Sequence, residues 1–299
     1  MRNLFCLLVT ALISFSAFAQ IKGTIQDSRT KEPIPYVNIW VENQSSGTSA
    51  DENGNFSLPE TDASKSIVFT AVGYGTKTLK ITEVSGTIYL TPQAIELDEV
   101  VIESRKNTEK ITIGSLKDAE KNHYYGINGA NPWMHANFYE YKPEYANAPY
   151  IKTIKLITST EHKGSSFNVR LYDVDENGYP GDYLYDENII CYPKNGKSTY
   201  TIDISKLNIR FPEKGVFIAL EWLIIEQNRY ELVEKIKFDA NGNKIELKPE
   251  DYIKRDVYTP SFAIAYADDK IIPWVYINGK WGKYSKTEWC LNMELTLTN

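Results

Sequence analysis

Ile21-Lys-Gly-Thr-Ile-Gln-Asp27 and, after a short break, Pro33-Ile-Pro-Tyr-Val-Asn-Ile-Trp-Val41 decide the fold. In the first run Ile21, Gly23 and Ile25 recur at every second position, the period of a strand with one covered face. In the second, Pro33 and Pro35 mark a turn, and Val37, Ile39 and Val41 then alternate with Tyr36, Asn38 and Trp40. β-branched residues at alternate positions fit a pleated, half-buried surface. Downstream, Asp51-Glu-Asn-Gly54 is turn chemistry, and Asn53-Gly54 suits a tight hairpin. Phe56 with Leu58, Ile67 with Phe69 and Ala71, Leu79 with Ile81, and Ile88 with Leu90 continue the alternation, with Gly73 as a stop. About seven short strands with no helical period predict a β-sandwich.

Four runs carry a family resemblance: Gly-Thr-Ile-Gln-Asp, Pro-Ile-Pro-Tyr-Val-Asn-Ile, Gly-Thr-Ser-Ala-Asp-Glu-Asn-Gly-Asn-Phe-Ser-Leu and Ile-Val-Phe-Thr-Ala-Val-Gly-Tyr. Residues 21–102 resemble the carboxypeptidase regulatory-like domain, which implies a transthyretin-like (prealbumin-like) sandwich. Leu97-Asp-Glu-Val-Val-Ile102 is similar to the segment that follows this domain in TonB-dependent outer-membrane receptors of Bacteroidetes. The resemblance implies an accessory domain without catalytic residues, and fold by itself does not imply function. A zinc carboxypeptidase needs two His and a Glu on its metal. The chain has only His123, His135 and His162, none in a His-x-x-Glu arrangement.

The chain has 299 residues, enough for two domains. Arg2, the apolar run from Leu4 to Phe18 and the small-x-small site at Ala17-Phe-Ala19 read as a secretory signal over residues 1–19. No later stretch reaches membrane-spanning length. The expected organisation is a regulatory-like domain over 20–95, a linker over 96–122 and a second sandwich over 123–299. A formal charge of −6 with no basic run argues against nucleic acid.

In the second region Ile154, Leu156 and Thr158 alternate, as do Phe167, Val169 and Leu171. Val216-Phe-Ile-Ala-Leu-Glu-Trp-Leu-Ile-Ile225 is apolar on both faces apart from Glu221, which marks a central strand. Asp239-Ala-Asn-Gly242 reads as a hairpin. Leu291, Met293, Leu295 and Leu297 alternate with polar residues in a strand expected to pair inside the sheet. Residues 124–150, rich in Tyr, Asn, Gly and Pro, read as loops and short edges. Strands without crossover helices predict an all-β chain, its second domain a jelly-roll-like antiparallel sandwich.

Three constellations are candidates for chemistry. Asp173-Val-Asp-Glu-Asn-Gly178 has the start of a calcium loop, in which Asp173, Asp175 and Asn177 would supply oxygens and Asp182 another. The alternative is a hairpin turn between Leu171 and Leu184, since the twelfth position is Leu184 and not Glu. Trp133, Tyr139, Trp274 and Trp281 could stack on sugar rings, or pack in the interior as large aromatics usually do. Cys191 and Cys290 could form a disulfide in an exported protein, or stay as buried thiols. There is no Gly-x-Ser-x-Gly elbow, phosphate loop or dinucleotide fingerprint. Glu221 and Glu226 could serve glycoside chemistry only across a cleft. The sequence therefore predicts a non-enzymatic envelope protein with a protein or glycan partner, located in the periplasm or at the cell surface. The alternative is a carbohydrate-active hydrolase or glycan-binding domain in the second sandwich.

Overall fold

The computed structural model describes residues 20–59, 61–93, 107–118, 123–130, 132–239, 243–266, 271–284 and 289–299. The signal segment and Leu97–Ile102 lie outside these. All regular structure among the described residues is strand, with a few single 3-10 turns. The first domain holds β1 (Ile21–Asp27), β2 (Asn38–Val41), β3 (Gly47–Ser49), β4 (Asn55–Leu58), β5 (Ser66–Thr70), β6 (Lys77–Lys80) and β7 (Gly86–Leu90). They form two sheets, β4-β1-β7 and β3-β2-β5-β6. The alternating residues meet between them: Ile25, Phe56, Leu58, Ile88 and Leu90 from one sheet, Ile39, Val41, Ile67 and Phe69 from the other. β1 and β7 run parallel, the other pairs antiparallel.

The Asp51–Gly54 turn is not a hairpin. It joins β3 of one sheet to β4 of the other. The Asp51 carboxylate accepts from the Asn53 and Asn55 amides, each at 2.8 Å, and Gly54 takes φ +75°. The turn forms where its residues predict one, but the pairing partners of its two arms are set by the core.

The second domain holds β8 (Lys110–Ile113), β9 (Tyr124–Asn128), β10 (Trp133–Tyr139), β11 (Tyr150–Thr160), β12 (Phe167–Val174), β13 (Pro180–Tyr183), β14 (Ile189–Cys191), β15 (Gly196–Asp203) and β16 (Val216–Trp222). It continues with β17 (Arg229–Glu234), β18 (Ile236–Phe238), β19 (Lys244–Glu246), β20 (Ile253–Tyr266), β21 (Ile271–Ile277), β22 (Lys280–Lys283), β23 (Trp289–Leu291) and β24 (Met293–Thr298). One sheet runs β13-β12-β16-β10-β21-β22, with β14 beside β12. The other runs β17-β20-β11-β24-β8, with β15 beside β11 and both β9 and β23 beside β20. Phe167, Val169, Leu171, Ile218 and Leu220 of the first sheet face Ile154, Leu156, Phe262 and Leu295 of the second, so the domain is a sandwich. Every residue of β16 is buried, as a central strand covered on both faces requires. β24 lies between β11 and β8, and β18 pairs with β19 as the predicted hairpin. The stretch expected as linker thus contributes β8 to this sheet.

Residues 124–150 depart from expectation. β10 is a central strand between β16 and β21. Its polar residues hid it: Asn137 is buried, and its amide donates to the Leu291 carbonyl at 2.8 Å while its oxygen accepts from the Leu291 amide at 3.2 Å. Hydrogen bonds of this kind offset the desolvation of a buried amide, so it can occupy a core position.

Candidate functional site: the seam and groove between the two sandwiches

The two domains share a polar seam. Edge strand β3 lies against the chain that leaves β16. The Ser49 amide donates to the Ile224 carbonyl at 3.1 Å, and the Ile224 amide donates to Ser49 Oγ at 3.0 Å. Thr48 Oγ1 donates to the same carbonyl, and the Gly47 amide donates to the Ala130 carbonyl at 2.6 Å. This pairing covers an otherwise open edge. Gly47 is required twice over: a Cβ there would collide with the Ile39 carbonyl of β2 and with Pro132 Cδ across the seam. Tyr36 packs on Leu223 and Ile225, and the Trp40 ring meets Tyr276 edge-on.

Glu221 sits inside this seam, fully buried. Its Oε2 accepts from Arg170 Nε and Nη2, each at 2.8 Å, and from Asn168 Nδ2 at 3.0 Å. Its Oε1 accepts from Asn38 Nδ2 of the first domain. Asn168 is held in turn by the Ile189 amide and by Asn188. A buried carboxylate needs a counter-ion and saturated lone pairs, and this one has both. The sequence singled out Glu221. Arg170 and Asn38 carried no local signal, since the register of β12 on β16 and the docking of the first domain bring them there.

Beside the seam a groove of about 570 Å³ runs between the domains. Lys22, Asp51, Asn55 and Ser57 line one wall, and Glu226, Arg229, Asp256 and Tyr258 the other, over a floor that includes Ile224 and Ile225. Arg229 clamps both carboxylates of its wall. It donates through Nε and Nη2 to Glu226 at 2.9 and 2.8 Å, and through Nη1 to Asp256 at 2.8 Å. The Arg229 hydrogen bonds hold the Glu226 carboxyl below its ordinary value. Glu221 and Glu226 do not share this space, because Glu221 is enclosed and Glu226 lines the open groove.

The remaining candidates are dispersed. Asp175 Oδ1 accepts from the Asn177 and Tyr179 amides at 2.8 Å, and Asp173 Oδ1 from the Asp182 amide at 2.7 Å. They close the β12–β13 turn, in which Tyr172 pairs with Tyr183. Burial raises the Asp173 carboxyl, with Asp182 and Asp175 adding repulsion. Among the described residues no three His, Cys, Asp or Glu side chains gather as a metal site. Trp133 and Tyr139 pack on the inner face of their sheet, where Trp133 stacks on His135 and Tyr139 accepts from Asn137. Trp274 and Trp281 belong to a cluster on the outer face with Met134, Tyr172 and Phe217. The four do not make one platform.

Of the two readings open for the cysteines, the structure has the buried thiols and not the disulfide. Cys191 and Cys290 are both buried and are not joined in a disulfide. They lie on β14 and β23, in different sheets. Burial pushes the Cys191 thiol up to about 12.

Among the described residues no helix is long and apolar enough to cross a membrane. Residues 21–102 match the CarboxypepD_reg-like domain family. A TonB-dependent receptor, P3 of Formosa agariphila, is 27% identical over 126 residues, a match that spans 40% of this chain and 12% of the receptor. Solved structures of infectious bursal disease virus, Gx and Gt strains, align over 93% of this chain and 58% of theirs at 10% and 11% identity, each with a TM-score of 0.24. Residues 21–102 are therefore a CarboxypepD_reg-like domain, as the resemblance of its four sequence runs implied.

Proposed function

We propose that the protein is an exported, non-catalytic binding module of the bacterial cell envelope, and that the groove between its two sandwiches receives the partner, a protein segment or a glycan. The observation that carries this reading is the Arg229 clamp. A general acid must keep its proton near neutrality, which requires a carboxyl pushed upward by burial or by a neighbouring negative charge. In the groove the opposite holds: Glu226 is held ionised by Arg229, and Asp256 is bonded to the same guanidinium. Such a wall is suited to binding a polar ligand and unsuited to protonating a leaving group. The partial likeness to a TonB-dependent receptor supports an envelope setting.

The test combines cell fractionation with binding and turnover. The protein should partition with the envelope and retain envelope proteins or glycans on an affinity column. Arg229→Ala, which frees both carboxylates, should reduce that retention. Cytoplasmic residence, or hydrolysis of a peptide or polysaccharide by the purified protein, would overturn the proposal.

A further inference from the structure

We propose that a second copy of this chain docks on strand β15, the two β15 strands pairing antiparallel about a two-fold axis through Tyr200. Among the described strands β15 pairs with β11 alone. That pairing runs without a register shift from Thr153 opposite Asp203 to Thr160 opposite Gly196, so β15 is regular over eight residues. On its other side no described strand pairs with it, over roughly 26 Å of backbone at about 3.3 Å per residue. Edges of this kind are usually blunted by proline, a bulge, short length or charged side chains, and β15 has only the last, in Lys197 and Asp203.

The side chains point to the occupant. Lys197, Thr199, Thr201 and Asp203 are all exposed and share the solvent face of the strand, while Ile202 is buried in the core and Tyr200 packs against it. Two antiparallel copies with Tyr200 opposite Tyr200 place Lys197 opposite Asp203 twice. The same register places Thr199 opposite Thr201 twice. Opposite charges and Thr pairs directly across a ladder are favourable, and like charges there are unfavourable. The strand is thus self-complementary in one register, as an isologous interface requires. A shift by one residue in either direction loses the two charge pairs and turns the buried face outward.

The test is sedimentation of the purified protein over a range of concentration, together with variants. The wild type should form a dimer. Lys197→Asp should weaken association about tenfold, because it sets two like-charge pairs face to face. Adding Asp203→Lys to that variant should restore it, since the swapped charges pair again. Register is read independently by cysteines: a mixture of Thr199→Cys and Thr201→Cys proteins should cross-link, and neither should alone, because identical positions lie beyond the roughly 7 Å reach of a disulfide. A monomer at every concentration would overturn the proposal. So would a dimer indifferent to Lys197→Asp, or a cross-link from one of the single variants by itself.

Discussion

Arg170 and Glu221 meet at 2.8 Å with 3% and 0% of their side-chain surfaces exposed, and Asn38 of the other domain completes the carboxylate. The pair belongs to the second domain, so the first domain adds only a neutral amide to a charge already balanced. Removing one ion leaves the other buried and alone. Glu221→Ala or Arg170→Ala should therefore cost about 3–5 kcal/mol, read by urea denaturation, whereas an apolar replacement of both should cost much less.

Asn38→Ala tests the seam. It removes one donor to a carboxylate that keeps its Arg170 and Asn168 bonds, at a cost of about 1.5–3 kcal/mol. Gly47→Val strikes both the seam and the β2–β3 pairing, because its Cβ would meet Pro132 and the Ile39 carbonyl. Calorimetry of Gly47→Val should show the first domain melting below the wild-type transition.

The pH dependence of stability has a defined source. Burial holds the His135 imidazole down at about 3, against an ordinary value of 6.5. Above pH 6.5 neither state binds the proton and the full contribution is present. Below it the unfolded chain takes up a proton that the native site refuses, so stability falls through the window from 6.5 to about 3, by about 1.4 kcal/mol per pH unit at most. His135→Phe should flatten that limb of the curve in pH-dependent urea titrations.

Both thiols should resist Ellman's reagent in the native protein and react once it is denatured. Cys191 combines burial with a thiol pushed up to about 12, and the reagent needs thiolate. Rapid labelling of two thiols in the folded protein would contradict this.

Asp175→Ala should cost about 1 kcal/mol, the loss of a side chain that satisfies the Asn177 and Tyr179 amides. Millimolar calcium should leave the melting temperature of the wild type unchanged. A calcium-dependent rise that Asp175→Ala abolishes would restore the metal-loop reading.

Period-2 patterning made most of the strands legible, because alternation of Ile39, Val41, Phe56 or Leu295 is a local property. It failed at β10, where Asn137 and His135 occupy inward positions, Asn137 bonded to Leu291 far along the chain and His135 packed among the rings of Tyr125, Trp133, Trp222 and Tyr284. The Asp51–Gly54 turn was legible as a turn, but which sheet each arm joined was not. Glu221 was conspicuous as a charge on an apolar strand. Its partners were invisible, since Arg170 sits in β12 and Asn38 in the other domain. The groove could not be read at all: Arg229, Glu226 and Asp256 look like ordinary surface charges until β17 and β20 are side by side.

The placing of β24 beside β8 bears on how the molecule comes to exist. Thr298 Oγ1 donates to the Glu109 carbonyl, 189 positions away. Contacts this distant in sequence form slowly, because the loop must close before any bond rewards it. A growing chain therefore has β11 without its β24 neighbour until residues 293–298 arrive. Closure of this sheet is expected to be a late step of folding, and the flank of β11 that β24 covers is the surface left unpaired until then.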